Sequence, residues 1–333
     1  MDLAQISIII IGLNEEKNLD RVFQSLLKQS YPIEKLELIY VDSGSEDRSV
    51  EIAKKYTSNV FVEKSFYPTA ARGRNRGLIA ATSDIVHFVD GDVEIGKHYL
   101  KQAVNKLLSV DDLAAVTGYI AEKNISQNFL NKVFSEALSN HGEGFTNQTK
   151  AGGTYKKKIL LEINGYDERI KLGEETELGE RILEKEFQIY QINEEMGRHD
   201  YDFSGVRSLF ARSFAMGKSF AIQSLIEGHG NYWRTTKRRN ISNIIQNIFF
   251  ILIFTTSILT QYIVLLYIAL LYIIIYPILK QIYRRESNIF KAIYFFLNHI
   301  MKPVIFLGQL SIYLKLMLSS SFRNTVLVEK QKL

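Results

Sequence analysis

The sequence predicts an α/β fold followed by a helical C-terminal region that seeks a membrane, and three observations carry that reading. Short β-branched runs alternate with helical patterns over residues 1 to about 118. Asn14, Asp42 and Asp90 each stand just after one of those runs. Forty residues without a charge extend from Asn240 to Leu279.

The composition permits such a fold. With 46% hydrophobic and 23% charged residues in a chain of 333, a packed core is within reach and the composition is not that of a disordered chain. The absence of cysteine excludes disulfides and thiolate metal sites. The net charge of +5 is unevenly spread. From Asn231 onward there are 13 Lys/Arg and 2 Asp/Glu, whereas the residues before it hold 28 and 34. The basic residues of the tail flank apolar runs, which fits attraction to anionic lipid headgroups better than binding of nucleic acid. The N-terminus does not read as a signal peptide, because Ile6–Ile11 is short and follows Asp2 rather than a basic region.

Each element has a local cause. Ile6–Ile11 is β-branched except for Ser7 and reads as a buried strand. From Glu15 to Gln29, Leu19, Val22, Phe23, Leu26 and Leu27 fall at helical spacing. Leu36–Val41 is a second strand, Asp47–Tyr56 a second helix and Val60–Val62 a short strand. Ala70–Ala81 is a helix carrying arginines, and Ile85–Val89 a strand ending at Asp90. This alternation implies parallel strands covered on both faces, with ligands beyond their carboxyl ends. Asn14, Asp42 and Asp90 are therefore expected on one edge. Further on, Ala151-Gly152-Gly153 signals a tight turn or close backbone approach. Asn164-Gly165 signals a turn, and Glu174–Phe187 a helix with acids crowded at its start.

A helix rises about 1.5 Å per residue, so the uncharged run corresponds to roughly two bilayer crossings. The expectation is a hairpin of transmembrane helices, about 241–258 and 262–279, turning near Ser257–Gln261. Arg234, Lys237, Arg238 and Arg239 precede it, and Lys280, Arg284 and Arg285 follow it, which puts both ends on the cytoplasmic side. Over about 288–318, Lys291, Asn298, Lys302 and Gln309 form one polar stripe, as in an interfacial helix or a third membrane helix. Trp233 beside Arg234 reads as an interface anchor.

The chemistry centres on Asp90-Gly91-Asp92. Two carboxylates around a glycine at the open end of a strand make a compact hard-oxygen site for Mg2+ or Mn2+, with a diphosphate completing the shell. Asp42-Ser43-Gly44-Ser45 follows the second strand, where an acid can accept a hydrogen bond from a base or ribose and Ser45 can cap a helix. Arg72, Arg74 and Arg76 suit a diphosphate through charge-assisted bonds. No Gly-x-Gly-x-x-Gly follows the first strand and no phosphate-binding Gly-Lys-Ser/Thr loop is present, which leaves a dinucleotide oxidoreductase or an NTPase unsupported.

This combination resembles family 2 of the glycosyltransferases, inverting enzymes with an A-type, Rossmann-like fold on a mixed central sheet. The resemblance rests on Ile8–Ile11 with Leu13-Asn14-Glu15, Val41–Ser45, Ala71–Gly77 with Arg72 and Asn75, and Phe88–Asp92. A second block runs from Gly152-Gly153 through Leu161 to Gly165-Tyr166-Asp167, then Gly173-Glu174-Glu175, Leu178 and Arg181. The resemblance implies a nucleotide-sugar-binding part over 1–118, an acceptor-binding and catalytic part over 119–230, and a membrane-anchoring region over 231–333. It implies that Leu13, Asn14, Glu15, Asp42, Ser43, Arg72, Asp90 and Gly91 contact the nucleotide sugar. Asp92 would ligate the metal, with Asp90 and His199 as further candidates. Glu175 would be the base that deprotonates the acceptor hydroxyl, with Glu174 as the alternative. The family's acidic pair usually ends in Asp, so the longer Glu leaves that register open. Polysaccharide synthases related to this family carry Gln-x-x-Arg-Trp, which is absent between Tyr201 and Arg239, so transfer of a single sugar is expected. The expected partners are a nucleotide-diphosphate sugar, with UDP first, a lipid-linked or cell-surface glycan acceptor and membrane lipids, and no nucleic acid. The rival expectation is a non-catalytic membrane scaffold that keeps the fold, against which the acids Asp42, Asp90, Asp92 and Glu175 are all present.

Overall fold

Ile6, Ile8 and Ile10 enter one apolar layer and Ile9 and Ile11 the other, so strand β1 (Ile6–Gly12) is buried on both faces as its β-branched run predicts. The structure, a computed structural model, describes residues 3–65, 68–122, 129–138, 142–150, 152–199, 205–225, 231–260 and 289–319. It contains two compact units. One comprises Met1–Asn124 with Ser139–Tyr201, the other Ile125–Leu138 with Asp202–Leu333.

In the first unit β1 lies between β2 (Leu36–Asp42) and β4 (Ile85–Asp90), both parallel to it. β3 (Val60–Val62) adds a further parallel strand outside β2. The sheet then turns mixed. β8 (Thr154–Lys156) pairs antiparallel with both β4 and β6 (Leu113–Glu122). β9 (Gln188–His199) runs parallel to β6 and takes β5 (Glu94–Ile95) and β7 (Gly144–Thr146) antiparallel. The order is β3-β2-β1-β4-β8-β6-β9-β5, with β7 also on β9. The alternation seen in residues 1 to about 118 holds only for the parallel half. β8 and β9 carry too little periodic signal to be read as strands.

Helices α1 (Leu19–Leu27) and α4 (Tyr99–Leu108) cover one face of the sheet. Helices α3 (Ala70–Ala80), α6 (Lys157–Glu162) and α7 (Glu174–Glu184) cover the other. The short α2 (Ser49–Ala53) follows β2, and Thr69 caps α3 by accepting from the Arg72 amide. α3 approaches β1 through glycines. A Cβ on Gly77 would lie 2.1 Å from Ile9 Cγ2, and one on Gly73 would lie 3.2 Å from Ile11 Cγ2.

The second unit contains α5 (Phe129–Leu138), α8 (Val206–Leu225), α9 (Asn231–Thr260) and the helices Ile289–Ile300 and Lys302–Leu318. The transmembrane hairpin expected from the uncharged run is not borne out. Among the described residues no single helix is long and apolar enough to cross a membrane. The span about 241–258 belongs to α9, where Asn240, Asn243 and Asn247 are buried polar positions, so absence of charge there is not absence of polarity. The span 262–279 and the residues Lys280, Arg284 and Arg285 lie outside the described residues. Over about 288–318, the segments Phe290–Ile300 and Lys302–Leu318 reach the length and composition of a span only together, bent by 42°. Trp233 is buried against Tyr232 rather than presented as an interface anchor.

Gly77→Ala should therefore lower the stability of the first unit by about 1–3 kcal/mol, the usual cost of overpacking a tight contact. Ile9→Ala, which removes the clashing Cγ2, should restore part of it in the same chain, and urea unfolding of the two single variants and the double variant measures the coupling. Additive losses would place the strain elsewhere.

Candidate active site

The strand register gathers the first motifs. Ile11 pairs with Val41 on one side and Asp90 on the other, and Gly12 pairs with Asp42, so three strand ends open on one edge. The loops after them are stitched together. The Asn14 amide donates to Ser45 Oγ at 2.8 Å, and the Glu46 amide donates to Asn14 Oδ1 at 2.9 Å. Asn14 sits at φ 59°, a left-handed conformation that asparagine tolerates. The Glu15 amide donates to Ser49 Oγ at 2.8 Å, and the Ser43 amide donates to the Gly12 carbonyl at 2.9 Å. Leu13, between them, is exposed.

Asp42 is completely buried and its oxygens are occupied within its own loop. Oδ2 accepts the Gly44 and Ser45 amides at 2.9 and 2.7 Å, while Oδ1 accepts Ser45 Oγ–H at 2.5 Å and Tyr40 O–H at 3.2 Å. The side chain shapes the loop that follows β2, an Asx-type turn. Gly91 meets the end of β1 closely. Its amide donates to the Ile11 carbonyl at 2.8 Å, and a Cβ there would lie 3.0 Å from both that oxygen and Glu15 Cγ. Glu15 thus rests against the Asp90-Gly91-Asp92 turn. Its carboxyl is raised above the ordinary range by burial and by the fields of Asp92, Asp90 and Asp47, against a lowering bond from Asn18.

Arg74 organises the other side. It is 1% exposed, and its guanidinium donates to Asp90 Oδ1 and Glu174 Oε1, each at 2.8 Å, with Glu175 Oε1 at 3.7 Å. The Tyr166 ring lies 5.3 Å from Cζ. Sequence reasoning placed Arg72 at the nucleotide and treated Arg74 as one of three equivalent arginines. A helical period separates them: Arg74 shares a face with Ala71 and Leu78, all buried. Arg72 instead reaches Ser65 Oγ at 2.9 Å and Glu168 at 3.4 Å, and Arg76 stacks on Phe61 with Glu63 at 3.5 Å.

The second block is tied to α3 through Asn75. Its Nδ2 donates to the Tyr166 carbonyl at 2.9 Å, and its Oδ1 accepts the Tyr166 amide at 2.8 Å. Asn164 and Gly165 both adopt positive φ, and Arg181 on α7 donates to the Gly165 carbonyl at 2.7 Å while forking onto Glu177. Gly152, at φ 99°, passes close to the Phe88 carbonyl, as the double glycine predicts; Ala151 lies outside the described residues. Glu174 and Glu175 open α7, and Gly173 before them is left-handed. Glu174 is buried against Arg74, whereas Glu175 keeps 20% of its side chain exposed. Burial, then the negative Glu174 beside it, pushes the Glu175 carboxyl up to about 7, with Arg74 opposing.

His199 ends β9, which sequence reasoning did not read as a strand. The β5–β9 pairing, Glu94 opposite Arg198, brings its Nε2 to 2.9 Å from Asp92 Oδ2. Burial lowers the His199 pKa, but Asp92, together with Asp90 and Glu122, outweighs this and the net shift is upward. Among the described residues no three acidic or histidine side chains converge on one point. Asp92 and His199 are joined directly by a hydrogen bond, so an ion held by both would displace the proton between them. A magnesium-like ion commonly takes only one or two protein ligands and completes its shell with phosphate and water. Asp92, with His199 beside it and Asp90 two residues away, offers that small number of protein ligands.

Residues 7–163 match the family model described as Glycosyl transferase family 2. The chain is 25% identical over 250 residues to the minor teichoic acid biosynthesis protein GgaB of Bacillus subtilis, covering 72% of this chain and 27% of that protein. It is 33% identical over 105 residues to the poly(ribitol-phosphate) beta-N-acetylglucosaminyltransferase TarS of Staphylococcus aureus, covering 30% of this chain and 18% of that one. The chain thus spans about a quarter or less of the length of these relatives. A mannosyltransferase from Pyrobaculum calidifontis, solved with GDP-Man and Mn2+, superposes with a TM-score of 0.51 at 16% identity over 73% of this chain and 71% of that one, a likeness of fold.

Removing Arg74 leaves buried carboxylates without their counter-ion. Arg74→Met should therefore cost about 3–5 kcal/mol of stability at neutral pH. It should also move the Glu175 titration upward, because the lowering contribution of Arg74 is lost. Denaturant unfolding and carboxyl NMR titration check the two effects. An unchanged Glu175 titration in a folded variant would contradict the arrangement.

Proposed function

We propose, from the family 2 glycosyl transferase domain that the chain carries, that this protein is a metal-dependent inverting glycosyltransferase. It moves one sugar from a UDP-sugar to a lipid-linked or cell-surface glycan at the cytoplasmic side of the membrane. The observation that carries this reading is the Glu175 carboxyl, held near 7 at the mouth of a buried ion-pair cluster whose other members are Arg74, Glu174 and Asp90. A group poised at that value is suited to take a proton at physiological pH.

The roles follow from the surroundings. Glu175, the more exposed of the pair, accepts the acceptor's hydroxyl proton as that oxygen bonds to the anomeric carbon. The bond to the nucleoside diphosphate breaks on the opposite face, which inverts the configuration. Glu174 is committed to Arg74 and positions its neighbour. The loops of Leu13–Glu15 and Asp42–Ser45 form the nucleoside side, with Asp42 holding the loop's shape. Asp92 and His199, with Asp90 beside them, would hold Mg2+ or Mn2+, which when bound offsets negative charge on the departing diphosphate. The two bacterial relatives, one a teichoic acid biosynthesis protein and one a beta-N-acetylglucosaminyltransferase of poly(ribitol-phosphate), support a cell-envelope glycan as acceptor and a β product. The basic residues on both sides of the uncharged run support the cytoplasmic side.

Calorimetry with UDP, GDP and dTDP, each with Mn2+ and with chelator, tests the donor and the metal together. UDP with Mn2+ should bind most tightly, and both chelator and Asp92→Ala should weaken it by at least about tenfold, the scale of losing a ligand or its support. Binding indifferent to both would remove the metal from the reading.

Glu175→Gln should leave donor affinity nearly intact and lower turnover by at least about a hundredfold. The base works only when deprotonated, and its pKa is raised to about 7. Wild-type turnover should therefore fall as pH drops below about 7 and level off above it. The same loss in Glu174→Gln with Glu175→Gln active would move the base by one residue.

A further inference from the structure

In the second unit, the middle of α9 turns its polar side inward and its apolar side outward. On α9, Thr236, Asn240, Asn243 and Asn247 recur at spacings of four, three and four, and all four are buried. They form one polar stripe turned into the helices around it. Asn243 Nδ2 donates to Gln309 Oε1 at 2.9 Å, Gln309 Nε2 donates to Asn240 Oδ1 at 3.4 Å, and Asn247 Nδ2 donates to the Asn243 carbonyl at 2.7 Å. Gln309 belongs to the helix Lys302–Leu318 and is wholly buried. That helix also meets α8 backbone to backbone, since a Cβ on Gly217 would lie 1.9 Å from the Ile305 carbonyl oxygen.

The opposite stripe of α9 is Ile241, Ile245, Ile248, Phe249 and Leu252, all exposed, with Ile245 at 60% and Phe249 at 63%. On Lys302–Leu318 the exposed stripe is Leu307, Leu310, Leu314 and Met317, reaching 73% at Met317. A helix in water buries its apolar stripe and exposes its polar one. On the α9 segment 240–252 the order is reversed, and Lys302–Leu318 is apolar on both sides, burying Ile305 and Ile312 beside Gly308 and Gln309. Close glycine contacts and hydrogen-bonded amides at the helix contacts, with large aliphatic residues outside, are features of helices packed in hydrocarbon. Water would expose a large apolar surface in return for burying amides.

Charge identifies the occupant further. The described residues of this unit hold eleven Lys/Arg, and Glu136 is the one acidic residue among them. Arg234, Arg238 and Arg239 are exposed on the first turns of α9, N-terminal to its apolar stripe. A basic end leading into an apolar face matches an anionic headgroup layer over acyl chains.

We propose that the apolar stripes of α9 and of Lys302–Leu318 contact the acyl chains of an anionic membrane, with the basic first turns of α9 among the headgroups. This reading is independent of the transferase chemistry, which the donor-binding and turnover measurements address separately.

The chain has no cysteine, so single thiols can be placed at will. Full-length protein carrying Phe249→Cys or Leu314→Cys, each labelled with an environment-sensitive nitrobenzoxadiazole dye, is mixed with phosphatidylcholine–phosphatidylglycerol vesicles. Leu108→Cys on α4 of the first unit, itself exposed, is the reference. Vesicles with brominated acyl chains should quench the dyes at 249 and 314 by about half or more and leave the dye at 108 unchanged. Arg238→Gln should weaken vesicle binding roughly fivefold in low salt, the scale of one basic residue at an anionic surface. Circular dichroism and flotation of each labelled chain confirm folding and binding. Flotation without quenching at both 249 and 314 would assign binding to another segment and overturn the proposal. So would shielding of both dyes without vesicles that grows with protein concentration, which would mark a second copy as the occupant.

Discussion

The buried Arg74 guanidinium is the contact on which the first unit's chemistry depends. A cation removed from water is tolerated only with close, hydrogen-bonded anions around it. Asp90 and Glu174 supply them at 2.8 Å, and they come from different parts of the chain, the end of β4 and the start of α7. One ion-pair cluster therefore fixes the strand-end aspartate relative to the helix that carries Glu175. The approach requires small residues on α3: Gly73 and Gly77 let the helix settle on β1 beside the buried Arg74. Asn75, next in sequence, grips Tyr166 through both backbone groups and so locks the second motif to the same helix.

The cluster also explains why two adjacent glutamates differ. Glu174 lies inside it and meets its counter-ion directly, whereas Glu175 stands 3.7 Å from the same cation, partly open to solvent. Burial and a neighbouring negative charge then outweigh a distant positive one, and the Glu175 carboxyl rises to about 7. On the far side of Asp90 the balance is set differently. Glu15 is raised first by burial and then by the fields of Asp92 and Asp90, and Asp92 is met by His199. Carboxylates thus stand on both sides of one arginine, and each side is set by a different balance of burial and charge.

What was legible in the residues follows the strength of the local signal. β1, β2 and β4 are short β-branched runs, and the acids that follow them are where parallel strands must deliver them. The carboxylate pair and the glycine between them were visible for the same reason. β9 was not. It contains Glu194, Glu195, Gly197 and Arg198, runs twelve residues and shifts register against β6, so neither period nor composition marks it. His199 could be named from its motif, but its partner Asp92 is set by the β5–β9 pairing, a tertiary fact. Arg74 could have been singled out. The residues at its helical face, Ala71 and Leu78, are small or apolar, while Arg72 and Arg76 stand on another face.

The C-terminal region shows the opposite failure, a strong signal with the wrong unit of measure. Counting charges treats Asn and Gln like Leu, and so forty uncharged residues read as two spans. Their arrangement carries different information. Asn240, Asn243 and Asn247 lie on one stripe of α9, and Ile241, Ile245, Ile248 and Leu252 on the other. Both stripes have the same helical period, so a moment computed from the sequence alone detects amphipathicity and is silent on which side faces in. Only the packing partner decides it. Gln309 answers the asparagines from the neighbouring helix, and Gly217 and Gly308 let the backbones close to a distance that no larger side chain permits. A hydrogen-bonded amide ladder of that kind is held most firmly where water does not compete for it. The polar residues that break the apolar run in sequence are therefore the ones that join its helices in space.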